Sequence, residues 1–194
     1  ARKNDGSVWA WGFNTNGQIG VGDANSPVLS PRQARDPNDP SGYVTGVTAV
    51  ASRGAYSLVL KNDGTVWGWG VNGNGQLGDG TNTTPRLSPV QVLEPNDPSG
   101  KLTGVIAIAA GTSHALALRS DGTVRAWGLN TSGQLGDGTP TSPRLTAVQV
   151  NDPNDPIRVQ RLKATMEDHD PFDSRKVDVA TMDQGNPIPP PHPP

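Results

Sequence analysis

The sequence has no cysteine among its 194 residues, so it can form neither a disulfide nor a cysteine-ligated metal site. Its longest apolar run, Val105–Ala110, is far shorter than the ~18 residues of a membrane-spanning helix. The formal net charge is −2 and no lysine or arginine stripe occurs, so nucleic acid is not expected as a partner. A signal peptide and an initiating methionine are also lacking, which is typical of a chain processed or excised from a longer one.

Apolar residues are scarce as well, at 32% of the chain, whereas glycine (24) and proline (19) are abundant. A chain of this composition can build a core only if its apolar residues are concentrated in short strands joined by turns. No segment has convincing helical periodicity. The composition therefore favours an all-β fold.

A repeat of 58 residues organises most of the chain. The dipeptide Asp-Gly begins at Asp5, Asp63 and Asp121, and Trp-Gly begins 58 residues apart at Trp11, Trp69 and Trp127. Tandem propeller repeats are therefore predicted over residues 1–156, in units 5–62, 63–120 and 121–156, the last one partial. Residues 157–194 are divergent and proline-rich, and they are predicted to be a disordered tail.

Each unit predicts four short antiparallel strands. In the most regular stretch they are Val105–Ala109, His114–Leu118, Thr123–Trp127 and Thr146–Val150, with equivalents at Val47–Ala51, Tyr56–Leu60, Thr65–Trp69 and Ser88–Val92. The Asp-Gly dipeptide between the second and third strands favours a type I′ hairpin. The sequence thus predicts a partial β-propeller of about two and a half four-stranded blades. Such a piece needs further blades or self-association to cover its open blade faces.

The ordered motifs resemble a known repeat. Val105-Ile-Ala-Ile-Ala-Ala-Gly111, His114-Ala-Leu-Ala-Leu118, Asp121-Gly122, Trp127-Gly128, Asn130 and Gly133-Gln-Leu-Gly136 are similar to the regulator of chromosome condensation repeat, over about Asp5–Val150. The resemblance implies a propeller, usually of seven blades. It also implies protein binding, since the founding member is a nucleotide-exchange factor for a small GTPase and many relatives only present a binding surface. The insertion Asp36–Gly42, repeated at Glu94–Gly100, looks like the variety found in bacterial surface proteins.

Several motifs with chemical potential have a simpler interpretation. Gly73–Gly78 matches G-x-G-x-x-G, but no helix follows to hold a pyrophosphate, so its glycines are expected to serve a loop. His114 has Tyr56 as its equivalent, which favours a core role over catalysis or metal binding. The Asp36–Gly42 loop offers oxygen ligands of the kind that Ca²⁺ uses, without EF-hand spacing, and Asx turns alone account for its residues. Glu167–Asp170 has ligand types but no framework to hold them.

The tryptophans fall into two sets. Trp11, Trp69 and Trp127 are expected to pack between blades. The position two residues earlier holds Trp9, Trp67 and Arg125; because it accepts a charge, it is expected near a blade edge or solvent. A carbohydrate-stacking platform from Trp9 and Trp67 is an open alternative.

The tail admits three interpretations. It is a disordered terminus, a proline motif for a partner domain, or a source of two strands, Ile157–Lys163 and Lys176–Met182, that complete the half blade formed by Asp5–Ala34.

The favoured function is a non-catalytic protein-binding scaffold, extracellular or at the cell surface, with no cofactor and no catalytic or metal site. Rim loops on a rigid frame are expected to carry the contacts. The predicted partner-binding residues are Asp36, Asn38, Asp39, Glu94, Asn96, Asp97, Asn72, Asn130 and Arg125. The alternatives are a regulator of a small GTPase, of the guanine-nucleotide exchange type, and a carbohydrate-binding module.

Overall fold

The computed structural model describes residues 1–151, which contain ten β-strands and no helix. The strands are β1 Trp9–Gly12, β2 Val28–Gln33, β3 Val47–Arg53, β4 Tyr56–Lys61, β5 Val66–Gly70, β6 Arg86–Gln91, β7 Val105–Ala110, β8 His114–Arg119, β9 Val124–Gly128 and β10 Arg144–Gln149. The all-β prediction is confirmed. No helix of this described part has the length and apolar character of a membrane span. The tail interpretations concern residues outside it.

The strands form three successive antiparallel sheets. Strands β3-β4-β5-β6 make one four-stranded sheet, β7-β8-β9-β10 make another, and β1 pairs with β2 alone. We call these the second blade, the third blade and the first-blade remnant. The prediction of two and a half blades is confirmed, and the strand bounds agree with the predicted ones to within two residues. Each blade combines the end of one sequence unit with the start of the next.

The Asp-Gly turns differ in detail from the type I′ prediction. Gly64 N–H donates to Lys61 O at 3.0 Å, and Lys61 N–H donates to Thr65 O at 2.9 Å. Asn62 and Asp63 therefore lie at the centre of the turn, and Gly64 follows it with φ +76° as a bulge residue. The Asp63 carboxylate favours this arrangement because it accepts hydrogen bonds from the Thr65 N–H and hydroxyl at 2.9 and 2.6 Å.

The main core lies between the second and third blades. Strand β4 is buried on both faces at Leu58, Val59 and Leu60. Leu58 and Leu60 belong to one apolar cluster with Ala115 and Ala117 of β8, so large side chains of one blade meet small ones of the next. Burying each leucine contributes about 1.5–3 kcal/mol, and only the adjacent blade makes that burial available.

The meander topology separates the loops into two rims. The turns 61–65 and 119–123 lie at the same end of the blades as the insertions 36–42 and 94–100, and we call this end the insertion rim. The long loops 71–85 and 129–143 lie at the opposite end, which we call the glycine-loop rim. The predicted contact residues are thus divided between two opposite ends of the molecule.

Candidate functional site

Beneath the rims, a tryptophan of one unit packs against the loop of the preceding unit. The Trp69 indole N–H donates to Gln18 O at 3.0 Å, and the Trp127 indole N–H donates to Gln76 O at 2.8 Å. Both indoles are buried, at 1% and 0% exposure. The predicted packing between blades is confirmed for Trp69 and Trp127, whereas Trp11 is 55% exposed. We call the contact of the first-blade remnant with the second blade the first junction, and that of the second blade with the third the second junction; the two are built alike.

Two glycines of the G-x-G-x-x-G motif, Gly75 and Gly78, serve this packing, whereas a methyl group added at Gly73 would meet only Thr84 among residues 1–151, at 3.9 Å. A methyl group added at Gly78 would lie 2.9 Å from Trp127 Cδ1, and Gly78 has φ +66°. A side chain is therefore disfavoured both by the contact with the indole and by the backbone conformation. The loop is followed by strand β6 and not by a helix. It therefore offers no helix N-terminus for a phosphate.

Asn72 and Asn130, two predicted partner-binding residues, are buried braces of these loops. Asn72 Oδ1 accepts the Leu77 N–H at 3.0 Å, and its amide donates to Asp79 Oδ1 at 3.0 Å and to Thr81 O at 3.1 Å. Asn130 makes the equivalent bonds, to Leu135, Asp137 and Thr139. Each side chain forms these hydrogen bonds within its own loop, and the bonds fix the shape of the glycine-loop rim.

The insertion loops have pinned roots and exposed tips. Asp36 and Glu94 are buried at the roots, whereas Asn38 and Asn96 are exposed. Asp39 Oδ1 accepts the Ser41 N–H at 2.8 Å and its hydroxyl at 2.6 Å. The side-chain and then the backbone hydrogen bond from Ser41 hold the pKa of Asp39 below its ordinary value. These are the hydrogen bonds that the Asx-turn interpretation requires.

The second insertion repeats this arrangement. Asp97 Oδ1 accepts the Ser99 N–H at 2.9 Å and its hydroxyl at 2.6 Å. The Ser99 hydroxyl and then its N–H lower the pKa of Asp97 as well. Both loops therefore keep an ionised aspartate that organises the turn. Residues 1–151 contain no group of three or more His, Cys, Asp or Glu side chains placed to hold a metal ion.

Arg125 lies inside the second junction and not at the solvent-exposed edge that the sequence suggested. It is 7% exposed, and its Nε donates to Glu94 Oε1 at 2.5 Å. Glu94 Oε2 also lies 3.5 Å from Arg119 Nη1, and Arg119 Nη2 lies 3.5 Å from Asp97 Oδ2. The position accepts a charge because the insertion of the previous unit supplies a buried carboxylate to meet it.

Trp67, at the Arg125 position of the first junction, is half-buried beside a lysine. Lys61 Nζ lies 5.0 Å from its ring centroid and 3.9 Å from Asp36 Oδ2. Trp9 repeats the pairing, with Lys3 Nζ at 4.1 Å from its ring. A lysine therefore occupies one face of each indole that a sugar ring would need for stacking.

Tyr56 joins two blades, and His114 is its buried equivalent. The Tyr56 hydroxyl lies 2.8 Å from Gly111 O and 2.5 Å from His114 O, so it joins β4 of the second blade to the turn before β8. His114 is buried at the same position of the third blade. This placement agrees with the core role predicted for both.

Two ion pairs on the glycine-loop rim were missed from the sequence. Arg86 Nε donates to Asp79 Oδ2 at 2.8 Å, and Arg144 Nε donates to Asp137 Oδ2 at 2.6 Å. The signal was available, because aspartate and arginine stand seven residues apart in both units and the first unit has Val21 and Val28 instead. Because a charged pair in two units is replaced by an apolar pair at the same positions of the first unit, the two positions are expected to be in contact.

The repeat matches a described family over most of the chain. The family described as "Regulator of chromosome condensation (RCC1) repeat" matches residues 5–60 and 63–118, and a second family of the same description matches residues 47–76 and 105–134. The chain belongs to the regulator of chromosome condensation repeat family. Its blades are therefore blades of a β-propeller, as the resemblance implied.

Relatives of this repeat family are much longer than the chain. The probable E3 ubiquitin-protein ligase HERC6 of Homo sapiens is 37% identical over 139 residues, which cover 70% of this chain and 12% of the ligase. With so small a share matched, the ligase activity does not carry over to this repeat segment.

Solved structures of the repeat family agree in fold. The human WBSCR16 structure is 28% identical with a TM-score of 0.63, over 76% of this chain and 34% of that one. The structure of Prp20p from Saccharomyces cerevisiae, described with its binding properties to Gsp1p and histones, is 20% identical with a TM-score of 0.64, over 79% of this chain and 36% of that one. The chain thus spans about a third of these propeller structures.

Proposed function

We propose that this repeat segment is a non-catalytic protein-binding scaffold that presents its insertion rim to a partner, outside the cell or at its surface. The observation that carries the proposal is the contrast within each insertion. Asp36 and Glu94 are buried and ion-paired at the roots, while Asn38 and Asn96 are exposed at the tips. A tip on a fixed root presents polar groups with little loss of conformational entropy on binding.

The fold supports the same function. The tryptophan-on-loop junctions fix the blades, so tip residues vary without disturbing the core. Prp20p, which shares the fold, is described as binding Gsp1p and histones, and this supports protein binding at the level of the fold alone. The proposed location rests on the similarity of the insertions to those of bacterial surface proteins.

Site-specific photo-crosslinking tests the proposal. A photoreactive residue is introduced into the whole chain at Asn38 or Asn96, and a matched control carries it at Asn82, which is exposed on the glycine-loop rim. We expect one and the same protein from the source organism to be captured at both insertion tips and not at the control. Equal capture at all three positions, or capture at the control alone, would contradict the proposal.

The GTPase-regulator alternative is supported only by the fold shared with Prp20p. A nucleotide-exchange assay against small GTPases of the source organism tests it directly. The scaffold proposal expects no acceleration of nucleotide release. Acceleration that disappears when Asn38 and Asn96 are replaced by alanine would instead favour the regulator.

We also propose that the open face of the first-blade remnant is covered either by a further blade or, where this segment stands alone, by a second copy of this chain. Trp11 is 55% and Leu29 89% exposed, although their equivalents Trp127 and Leu145 pack on the preceding loop at Gly78 and Gly75. In the matching loop of the third blade Gly133 is exposed, and a methyl group added there would meet no atom of residues 1–151 within 4 Å. One copy thus carries both halves of the junction that the chain already builds twice.

Light scattering after size-exclusion chromatography tests this head-to-tail contact. We expect the mass of the chain to rise with concentration, and Trp11→Glu to remain monomeric at every concentration. Because Trp11 is exposed, this variant is expected to melt as the unmodified chain does. A constant monomer mass for the unmodified chain would refute the contact.

A further inference from the structure

A cavity of about 650 Å³ opens between the first-blade remnant and the second blade, on the outer side of the first insertion. Its wall contains Val21, Asp23, Arg32, Arg35, Tyr43 and Ser88. Arg32 Nη1 lies 3.6 Å from Asp23 Oδ2, and both side chains are partly exposed. The Arg35 side chain is exposed, and no carboxylate of residues 1–151 lies within 4.0 Å of its guanidinium.

The same place in the second junction is filled. There, Val90 and Leu93 stand where the first junction has Arg32 and Arg35. A methyl group added at Gly80 would lie 3.5 Å from Leu93 Cδ1, whereas one added at the equivalent Gly22 would meet no atom of residues 1–151 within 4 Å. Leucine therefore closes the space beside the insertion of the second unit, and arginine leaves it open.

The backbone opens the cavity further. Ala147 N–H donates to Leu93 O at 2.8 Å and ties the third blade to the second insertion. The equivalent of Ala147 is Pro89, which has no N–H to donate to Arg35 O. The second junction also has a bond from Gly80 N–H to Leu145 O at 2.9 Å, which has no counterpart between Gly22 and Leu87. The first junction thus lacks two bonds between blades at the cavity, although Arg35 N–H still donates to Gly20 O within the first unit at 2.7 Å.

Ion pairing does not explain the two arginines, because among residues 1–151 only Arg32 has a carboxylate partner, Asp23. Replacing a packed valine and leucine by two arginines gives up apolar burial and places two cations beside a single carboxylate, Asp23. Residues that disagree with the local pattern of a fold are expected at functional or strained sites. Two arginines in the wall of one cavity suit a carboxylate, because a guanidinium group can bind a carboxylate through two parallel hydrogen bonds.

We propose that this cavity binds the carboxylate side chains of an acidic peptide segment. Arg35 is the principal contact because it has no carboxylate partner among the described residues, and Arg32 exchanges Asp23 for the ligand. The Tyr43 ring, partly exposed in the wall, covers the aliphatic part of the bound side chain. This inference rests on the proposed scaffold function and names the chemistry of its partner.

Titration of the isotope-labelled chain with a hexaglutamate peptide at low ionic strength tests the cavity. We expect the nuclear magnetic resonance signals of the Arg32 and Arg35 Nε–H groups and of the Gly22 and Tyr43 amides to shift together. The double variant Arg32→Val with Arg35→Leu copies the second junction, so it should fold and should bind at least about tenfold more weakly.

The controls separate the cavity from net charge and from the scaffold function. Arg53→Leu removes an exposed arginine at the end of β3, and it should change the affinity less than about twofold. Unchanged binding by the double variant, or shifts that miss Gly22 and Tyr43, would overturn the cavity. If hexaglutamate does not bind but photoreactive residues at Asn38 and Asn96 still crosslink a partner, the proposed cavity is wrong and the scaffold function stands. If hexaglutamate binds but neither position captures a partner, the scaffold function is wrong and the cavity stands.

Discussion

The two junctions between blades share the same packing but differ in their charged side chains. Each seats a tryptophan on the loop of the preceding unit and holds a buried acid at the root of an insertion. At the first junction Asp36 faces one lysine, Lys61, which lies beside the Trp67 ring. At the second, Glu94 meets two arginines, Arg119 and Arg125. The difference shows that the apolar frame fixes the geometry, while the polar layer around it is free to change.

The second junction is also the more demanding one energetically. Arg125 Nη1 is buried without a hydrogen-bond partner in residues 1–151, and an unsatisfied buried polar group costs about 1–3 kcal/mol. The first junction avoids this cost because Trp67 is half-buried and its indole N–H donates to the Thr65 hydroxyl at 2.9 Å. Substitutions that exchange or remove these parts measure how far the two junctions are equivalent.

The largest expected effect is at the part that both junctions share. Trp69→Ala and Trp127→Ala should each lower the free energy of unfolding by about 3–5 kcal/mol, because each removes a fully buried indole and leaves a cavity. Urea unfolding followed by circular dichroism measures both values. Equal losses would confirm that the frame is the same at the two junctions.

Trp11→Ala is the matched control, since Trp11 stands at the same position of the repeat and is 55% exposed. At low concentration it should change the free energy of unfolding by less than about 0.5 kcal/mol, as exposed substitutions do. A loss as large as that of Trp127→Ala would mean that the first-blade remnant is packed in solution in a way the structure does not show.

The next effect separates the junctions. Glu94→Gln keeps the shape of the side chain but leaves Arg125 without a buried counter-charge, so it should cost about 3 kcal/mol. Asp36→Asn, at the same position of the first junction, weakens one contact of 3.9 Å to a lysine and should cost about 1 kcal/mol or less. Urea unfolding of both variants gives the comparison. Equal costs would show that the charge at Arg125 is not what distinguishes the second junction.

Most of the fold could be predicted because the same strand and turn motifs recur in three units of the sequence. The strand bounds followed from the alternating apolar runs, and the blades followed from their recurrence every 58 residues. The turn type was wrong because Asp-Gly suits two hairpin turns. The choice between them depended on the Asp63 carboxylate bonding to Thr65, which spacing alone does not reveal.

The polar site was less predictable, for a physical reason. An exposed loop and a buried loop root have the same composition, so Asp36 and Asn38 could not be separated from the sequence. Arg125 suggested an edge because a lone arginine is usually exposed. Its burial follows only once Glu94, 31 residues earlier, is known to reach it. The joint change from Asp36 and Trp67 to Glu94 and Arg125 was the available signal.

The smallest expected effect comes from exchanging polar chemistry on the glycine-loop rim. Val21 and Val28 are buried in a small apolar cluster of the first unit, where the second unit has the Asp79–Arg86 ion pair. The triple variant Asp79→Val, Thr81→Asp and Arg86→Val copies the first unit, in which Asp23 stands at the position of Thr81. We expect its free energy of unfolding, measured in urea, to lie within about 1 kcal/mol of the unmodified chain, since well-packed apolar residues replace buried ion pairs at little cost.

In the first unit Asp23 takes over a contact that Asp79 provides in the second unit. In the first unit the Asn14 amide donates to Asp23 O at 3.1 Å and lies 3.4 Å from Asp23 Oδ1, whereas in the second unit the Asn72 amide donates to Asp79 Oδ1. Arg86→Val alone leaves Asp79 buried without its cation and should cost about 1–3 kcal/mol more than the triple variant. If Arg86→Val alone lowered the free energy of unfolding less than the triple variant, the ion pair would not be needed for stability, and the two valines would not replace it.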